Sequence, residues 1–302
     1  YYESDKVFKD SKGFTKTLIF SSWKLVPRMI STIVSYEVER LSVGDFLNKR
    51  EGKSPDYFAK KRQPSPLLTF KTDKEDASLS SMNNFLLNYP SIFLSTLYNP
   101  SQNVFDKLSL IEIKQVLSKK IQERLIEIGI FEIGYPEGDW QKWSWYSLLL
   151  LDKNHEDAES LKLWLNNSHS TEDVSSDVDN NESDKQSKTA KSDYFKEIEE
   201  VICRGKVPNV SMITNEQLEN TCQYLADLCL GSPAICALRS NRQLFDEKNE
   251  SLLSHSYLIA AGFISLFNKP ESIVVVHLIK VNKDYYRKVL DYCIDGNIQS
   301  MF

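Results

Sequence analysis

The segment that most constrains the fold is residues 16–40, whose pattern predicts a short strand, a polar turn and an amphipathic helix. Residues 17–20 form a compact, partly β-branched apolar run, which is typical of a buried strand. Pro27 suits the first turn of a helix, because its φ is already helical and its missing N–H would have no partner there. An apolar stripe recurs every four residues, at Val26, Ile30, Val34 and Val38. A strand followed by such a helix is half of a βαβ unit, which requires a parallel sheet.

The rest of the chain predicts helices rather than the alternating strands of a complete sheet. The longest helical period covers residues 110–128, and capping-box spacings open helices near Ser109 and Thr214. Residues 231–233, Gly-Ser-Pro, predict a glycine past the end of one helix, then a serine N-cap and a proline that open the next. Residues 271–281 have strong strand propensity but follow a proline among helices, so we favour a helix and keep the strand as an alternative. We therefore expect a mainly α fold.

Composition along the chain predicts five segments. They are the strand–helix unit 1–41, a polar and basic irregular segment 42–80, a helical subdomain 81–166, an acidic disordered linker 167–193 and a second helical subdomain 194–302. The linker holds seven acids, three bases and almost no apolar side chain, so it cannot bury enough surface to offset the entropy of ordering. It contributes −4 to the net charge of −5. The overall acidity therefore does not exclude a local basic surface.

The polar segment 42–80 contains a local excess of positive charge. Residues 49–62 hold six bases and two acids, and Arg50, Lys61 and Arg62 are among the bases. Two interpretations stay open: a solvated loop, and a loop that contacts phosphates, since basic clusters bind nucleic acids largely through counterion release. Residues 67–70, Leu-Leu-Thr-Phe, form a possible short strand.

Length and composition are those of a soluble globular protein, with 302 residues, 41% hydrophobic and 26% charged. No apolar run reaches the ~18 residues that span a bilayer, so we expect no membrane partner. The five cysteines include no Cys-x-x-Cys pair, which favours buried free thiols in a reducing cytoplasm over a metal site. Because the chain begins at Tyr1, we expect it to be a piece of a longer protein.

The chain contains no recognisable catalytic motif. It has no His-Glu-x-x-His, no Gly-x-Ser-x-Gly and no phosphate-binding loop placed after a strand. These absences argue against a complete ATPase, and we expect no catalytic residue, metal site or cofactor within the chain. Trp140, Trp143 and Trp145 could stack nucleic-acid bases, but aromatic clusters more often fill a core, and we favour the core.

Three strings carry a family resemblance. Residues 16–23, Lys-Thr-Leu-Ile-Phe-Ser-Ser-Trp, with the helix that follows, resemble motif IV of superfamily-2 helicases of the Swi/Snf type. Residues 20–40 are similar to large bacterial helicase-related proteins that carry a long insertion after this motif. Residues 231–239, Gly-Ser-Pro-Ala-Ile-Cys-Ala-Leu-Arg, and residues 286–299 look similar to parts of that insertion. The resemblance implies a strand–helix stub of a second RecA-like α/β lobe, followed by a helical insertion domain.

The resemblance implies a function for a parent protein. Helicases of this family hold ATP and Mg²⁺ with motifs that lie upstream and downstream of this region, and none of those motifs is present here. We therefore expect a fragment of an ATP-dependent helicase or DNA translocase that has no ATPase activity alone. Its expected partners are DNA (or RNA) and the rest of the helicase chain. The alternative is a self-contained helical protein-interaction module without a nucleic-acid role.

The family also implies positions for nucleic-acid contact, because its motif IV turn lies near the nucleic-acid backbone. Serine hydroxyls and lysine commonly contact phosphates without reading sequence. For the tryptophan of this turn, packing against its own helix is the alternative. We further expect the apolar stripe that begins at Leu25 and Val26 to be partly exposed or covered by the helical insertion. The predicted nucleic-acid-binding residues are Ser21, Ser22, Trp23, Lys24, Arg50, Lys61 and Arg62.

Overall fold

The computed structural model confirms the mainly α fold. It describes residues 21–23, 25–41, 66–69, 82–100, 108–133, 143–168, 193–207, 211–245, 249–279 and 284–296. The predicted strand at 17–20 and most of the basic segment lie outside the described residues, and so does 169–192 of the predicted linker. Both ends of that linker are helical, because one helix extends to Ser168 and another begins at residue 193.

The described residues form helices in the following order along the chain. They are α1 (Leu25–Glu39), α2 (Met82–Leu86), α3 (Ile92–Leu97), α4 (Leu110–Glu127), α5 (Trp143–Lys153), α6 (Ala158–Ser168), α7 (193–202), α8 (Asn215–Gly231), α9 (Pro233–Leu244), α10 (Asn249–Phe267), α11 (Pro270–Ile279) and α12 (Tyr285–Ile294). The favoured helix at residues 271–281 is therefore confirmed over 271–279, and residues 280 and 281 lie outside the described residues. A short 3₁₀ turn, Ile130–Glu132, follows α4.

Helix α8 forms the centre of the fold, in contact with α3, α4, α5, α9 and α12. It begins with the predicted capping box, in which Thr214 Oγ1 accepts from the Gln217 N–H at 3.2 Å and the Gln217 side chain accepts from the Thr214 N–H. Leu218, Cys222 and Leu225 recur on its buried face. Helix α4 starts with the other predicted capping box, at Ser109. Both boxes formed because the two partners are three residues apart and need no tertiary support.

The two helical segments share one hydrophobic core that extends from Leu68 to Tyr292. The Phe85 ring stacks on Tyr194, with centroids 5.4 Å apart, and meets the edge of Phe195 at 5.3 Å. Side chains before and after the linker thus pack in the same interior. The boundaries that we predicted for the subdomains stay a prediction.

The connection between α8 and α9 differs from the prediction at Gly231 and at Ser232. Gly231 is the last helical residue, not a residue beyond the helix, and a Cβ there would lie 2.5 Å from the side chain of Ile294. The glycine is required because α12 approaches α8 closely. Ser232 makes no capping bond with its side chain, since its hydroxyl donates to the Leu87 carbonyl 3.2 Å away. Pro233 does open α9, as predicted.

The possible strand at 67–70 does not form over its described residues, 67–69. The amide of Asn268, at the end of α10, pairs with the backbone of Leu68 instead. Its Oδ1 accepts from the Leu68 N–H at 2.8 Å, and its Nδ2 donates to the Leu68 carbonyl at 2.9 Å. One side chain therefore satisfies the backbone groups that a neighbouring strand would have paired.

One helix in the described part of the chain, over Glu250–Phe267, is long and apolar enough by length and composition to cross a membrane. It packs against α6, α9 and α11 in the protein, and core helices of soluble proteins meet the same two criteria. The expected lack of a membrane partner therefore stays a prediction.

Candidate functional site

The residues that immediately precede α1 are exposed. Ser21, Ser22 and Trp23 all lie on the surface, and Trp23 is 74% exposed. The Trp23 N–H donates to Ser21 Oγ at 3.1 Å, and the Trp23 carbonyl accepts from the Val26 N–H at 3.1 Å. These bonds hold the backbone of the turn against the start of α1, and the Trp23 side chain is mostly open to solvent. This exposure disfavours the alternative in which Trp23 packs against its own helix, and the contact role of the residue stays a prediction.

The other predicted contact residues lie outside the described part of the chain. Lys24, Arg50, Lys61 and Arg62 are in that group. The structure therefore places three of the seven predicted nucleic-acid-binding residues, which are consecutive, on one exposed turn.

Helix α1 exposes the apolar stripe that the sequence predicted. We call its apolar side chains that are between 52% and 63% exposed the α1 stripe, and they are Leu25, Met29, Ile33, Val34 and Val38. Val26 and Ile30 beside them are half-buried. Of the two expected outcomes, partial exposure and cover by the helical insertion, the described residues show partial exposure. Exposed apolar side chains grouped on one helix face, as opposed to scattered singly, are typical of an interaction surface.

The other described tryptophans are buried in the core. Trp143, Trp145 and Trp164 are 1%, 7% and 2% exposed, and Trp143 Nε1 donates to the Ser211 carbonyl at 2.8 Å. The core interpretation of Trp143 and Trp145 is confirmed, and Trp140 lies outside the described residues. Among the tryptophans that the structure describes, Trp23 alone offers an open ring face.

The most perturbed carboxyl group in the described residues is Asp152, at the end of α5. Its side chain is fully buried, and Oδ1 accepts from Ser91 Oγ at 2.9 Å and from the Phe93 N–H at 2.8 Å. Burial raises the pKa of Asp152 to about 6, against the opposing effects of these hydrogen bonds, the Tyr89 hydroxyl and the charge of Arg242. The Tyr89 hydroxyl and Asp152 Oδ2 are close, yet neither makes a hydrogen bond of normal geometry.

The burial of the Asp152 carboxylate is explained by a structural role. This carboxylate joins α5 to the start of α3 by accepting from the Phe93 N–H and the Ser91 hydroxyl, where a negative charge also interacts favourably with the helix dipole. The sequence gives little indication that this carboxylate is buried. Asp152 follows the apolar run 148–151 and begins a polar stretch, and this pattern predicts a connection between two helices. With no surface access, Asp152 is not available to a substrate.

Two arginines with half-buried or buried side chains lie on α9. Arg242 pairs with Asp157 Oδ2 at 3.1 Å and donates to Ser95 Oγ at 3.2 Å. Arg239 is 8% exposed and makes no ion pair within the described residues. It donates to the Cys229 carbonyl at 2.6 Å and lies 5.1 Å from the centre of the Tyr98 ring.

The environment of Arg239 compensates for its buried charge. The Cys229 carbonyl belongs to the last turn of α8, where the helix dipole favours a cation. The Tyr98 ring adds a cation–π contact. Burial raises the pKa of the neighbouring Cys229 thiol to about 12, so this thiol stays protonated beside the guanidinium.

No cluster of three or more metal-binding side chains occurs among the described residues. All five cysteines are free, with Cys222 and Cys229 buried and the other three half-buried. The exposed turn at residues 21–23, together with the α1 stripe, is thus the strongest candidate for a functional surface.

Comparison with protein families, curated proteins and solved structures finds no match for this chain. The helicase resemblance therefore rests on the quoted strings and stays a prediction.

Proposed function

We propose that this chain is an accessory nucleic-acid-contacting part of an ATP-dependent helicase or DNA translocase. In this proposal the rest of the helicase chain binds ATP and Mg²⁺ and hydrolyses the nucleotide. This chain would contribute contacts to DNA (or RNA) and would have no ATPase activity alone.

The observation that carries the proposal is the exposed turn formed by Ser21, Ser22 and Trp23. The string that resembles motif IV ends at this turn, so the residues expected at the nucleic-acid backbone are accessible. Two serine hydroxyls suit phosphate oxygens, and an open indole suits a base or a sugar. Lys24 follows directly in the sequence and adds a positive charge.

A salt titration tests the proposal. Binding of this chain to a fluorescein-labelled DNA 20-mer, single-stranded or duplex, is followed by fluorescence anisotropy between roughly 25 and 300 mM NaCl. If Lys24, Arg50, Lys61 and Arg62 each neutralise one phosphate, the logarithm of the binding constant should fall with the logarithm of salt concentration with a slope of about −3. Failure to bind either DNA at the lowest salt concentration would refute the proposal.

Two double variants test whether the turn at residues 21–23 contacts the nucleic acid. Ser21→Ala with Ser22→Ala should weaken binding, because both hydroxyls are exposed at the predicted contact. The matched control replaces Ser31 and Ser35, two exposed serines in the middle of α1, with alanine. Equal effects of the two pairs would place the contact elsewhere on the chain.

The α1 stripe favours a second candidate, the helical protein-interaction module. Five apolar side chains at more than half exposure on one helix are what a partner protein would bury. This candidate predicts no nucleic-acid binding. Tight binding that weakens steeply with salt in the titration above would contradict it.

A further inference from the structure

We infer that the nucleic acid contacted by this chain is single-stranded, and that an unpaired base stacks on the indole of Trp23. This inference rests on the proposed function and adds the class of nucleic acid and the mode of contact. The family resemblance implied contacts to the backbone, which do not distinguish a single strand from a duplex.

The exposure of Trp23 carries the inference. Its side chain is 74% exposed, while the buried Trp143, Trp145 and Trp164 show that this chain places other tryptophans in its core. A tryptophan left in water forfeits a large hydrophobic gain, because a full indole buries roughly 150–250 Å². An aromatic ring with an open face is the element that proteins use to stack unpaired bases.

The surroundings of Trp23 suit a nucleic-acid strand. The bond from its N–H to Ser21 Oγ fixes the turn, so the ring projects from a defined backbone. The first turn of α1 contains no acidic residue, and the exposed Arg28 is its fourth residue. Phosphates on either side of a stacked base would therefore meet hydroxyls and a cation instead of carboxylates. A duplex keeps its bases stacked on each other, so their faces are closed to Trp23.

The test compares three fluorescein-labelled probes by anisotropy at about 50 mM NaCl: dT20, a 20-mer that is abasic at every position, and a 20-base-pair duplex. The chain should bind dT20 most tightly. Stacking of one base contributes about 1–3 kcal/mol, so Trp23→Ala should weaken dT20 binding roughly 5- to 150-fold. Its salt slope should not change, because no charge is removed.

Two controls separate stacking from general damage to the surface. Leu244→Ala removes an apolar side chain that is 73% exposed, at the end of α9, and should leave all three affinities unchanged. Trp23→Phe keeps an aromatic face and should recover most of the loss. Trp23→Ala should lose little further affinity for the abasic probe, since that probe already lacks the bases to be stacked.

Each outcome decides between the proposals. Equal weakening of dT20, abasic and duplex binding by Trp23→Ala, or no weakening at all, would overturn stacking and leave the proposed function standing. Tighter binding of the duplex than of dT20 would overturn the single-strand preference. Failure to bind any probe would overturn the proposed function as well, and would leave Trp23 to a protein partner at the α1 stripe.

Discussion

Replacement of Asp152 by asparagine should change the pH dependence of stability in a defined direction. The carbonyl oxygen of the introduced amide can still accept the bonds from Ser91 Oγ and the Phe93 N–H. The amide nitrogen takes the place of Oδ2, which has no hydrogen-bond partner and lies near the Tyr89 hydroxyl. The substitution therefore removes the ionisation while it keeps the shape of the site.

The magnitude follows from the pKa. Burial raises the pKa of Asp152 from 3.8 to about 6, so the folded protein holds this proton more tightly than the unfolded chain does. The free energy of unfolding therefore falls as pH rises from about 4 to about 6, and the effect is constant above that window. Each tenfold change in proton affinity is about 1.4 kcal/mol, so the whole effect is about 3 kcal/mol.

Urea unfolding followed by circular dichroism between about pH 4 and pH 8 measures this effect. The stability of Asp152→Asn relative to the original protein should increase by about 2.5 kcal/mol from pH 4 to pH 8, since the remainder of the titration lies below pH 4. Glu123→Gln, which removes an exposed carboxylate of α4, is the matched control for the loss of one carboxylate. Hydrogen bonds lower the pKa of other carboxyls such as Glu112, but those groups are common to both proteins and cancel.

A second substitution separates ionisation from the hydrogen bonds. Asp152→Ala removes the acceptor as well as the ionisation, and it leaves the Ser91 hydroxyl and the Phe93 N–H without their partner. It should therefore be less stable than Asp152→Asn by about 2–5 kcal/mol at every pH. The reasoning is refuted if the difference in free energy of unfolding between Asp152→Asn and the original protein does not change across the same pH range. It is also refuted if the stability of Asp152→Asn relative to the original protein decreases with rising pH.

Three further predictions concern packing and capping. Gly231→Ala should destabilise the protein by about 1–3 kcal/mol in urea unfolding, because the new Cβ would lie 2.5 Å from a carbon of α12. Gly262→Ala lies in the interior of α10 with nothing within 4 Å of the new Cβ, so it should instead stabilise the protein by about 0.5–1 kcal/mol. A Gly231→Ala variant more stable than Gly262→Ala would contradict the packing argument. Asn268→Ala should cost about 1–3 kcal/mol and accelerate hydrogen exchange of the Leu68 amide, so unchanged exchange would show that this pairing is not formed. Thr214→Ala should lower the melting temperature through a loss of about 1 kcal/mol, with Thr214→Ser as the variant that keeps the cap.

The sequence alone determined most of the helices, because their signals are local. The capping boxes at Ser109 and Thr214 join groups three residues apart, and the apolar period that follows each box selects the buried face. Proline at the first position likewise opened α9. These features depend on backbone geometry within one or two turns, so no distant contact is needed to predict them.

The tertiary structure decided the features that depend on distant neighbours. Residues 67–69 have the composition of a strand, but Asn268 satisfies the Leu68 backbone from 200 positions away. Asp152 follows an apolar run like many solvated turn residues, and only its burial against α3 sets its pKa. Trp23 and Trp143 are the same residue type, yet one is exposed and the other fills the core. Composition predicts how much apolar surface a chain must bury, whereas the packing of the helices decides which side chains are left to meet a partner.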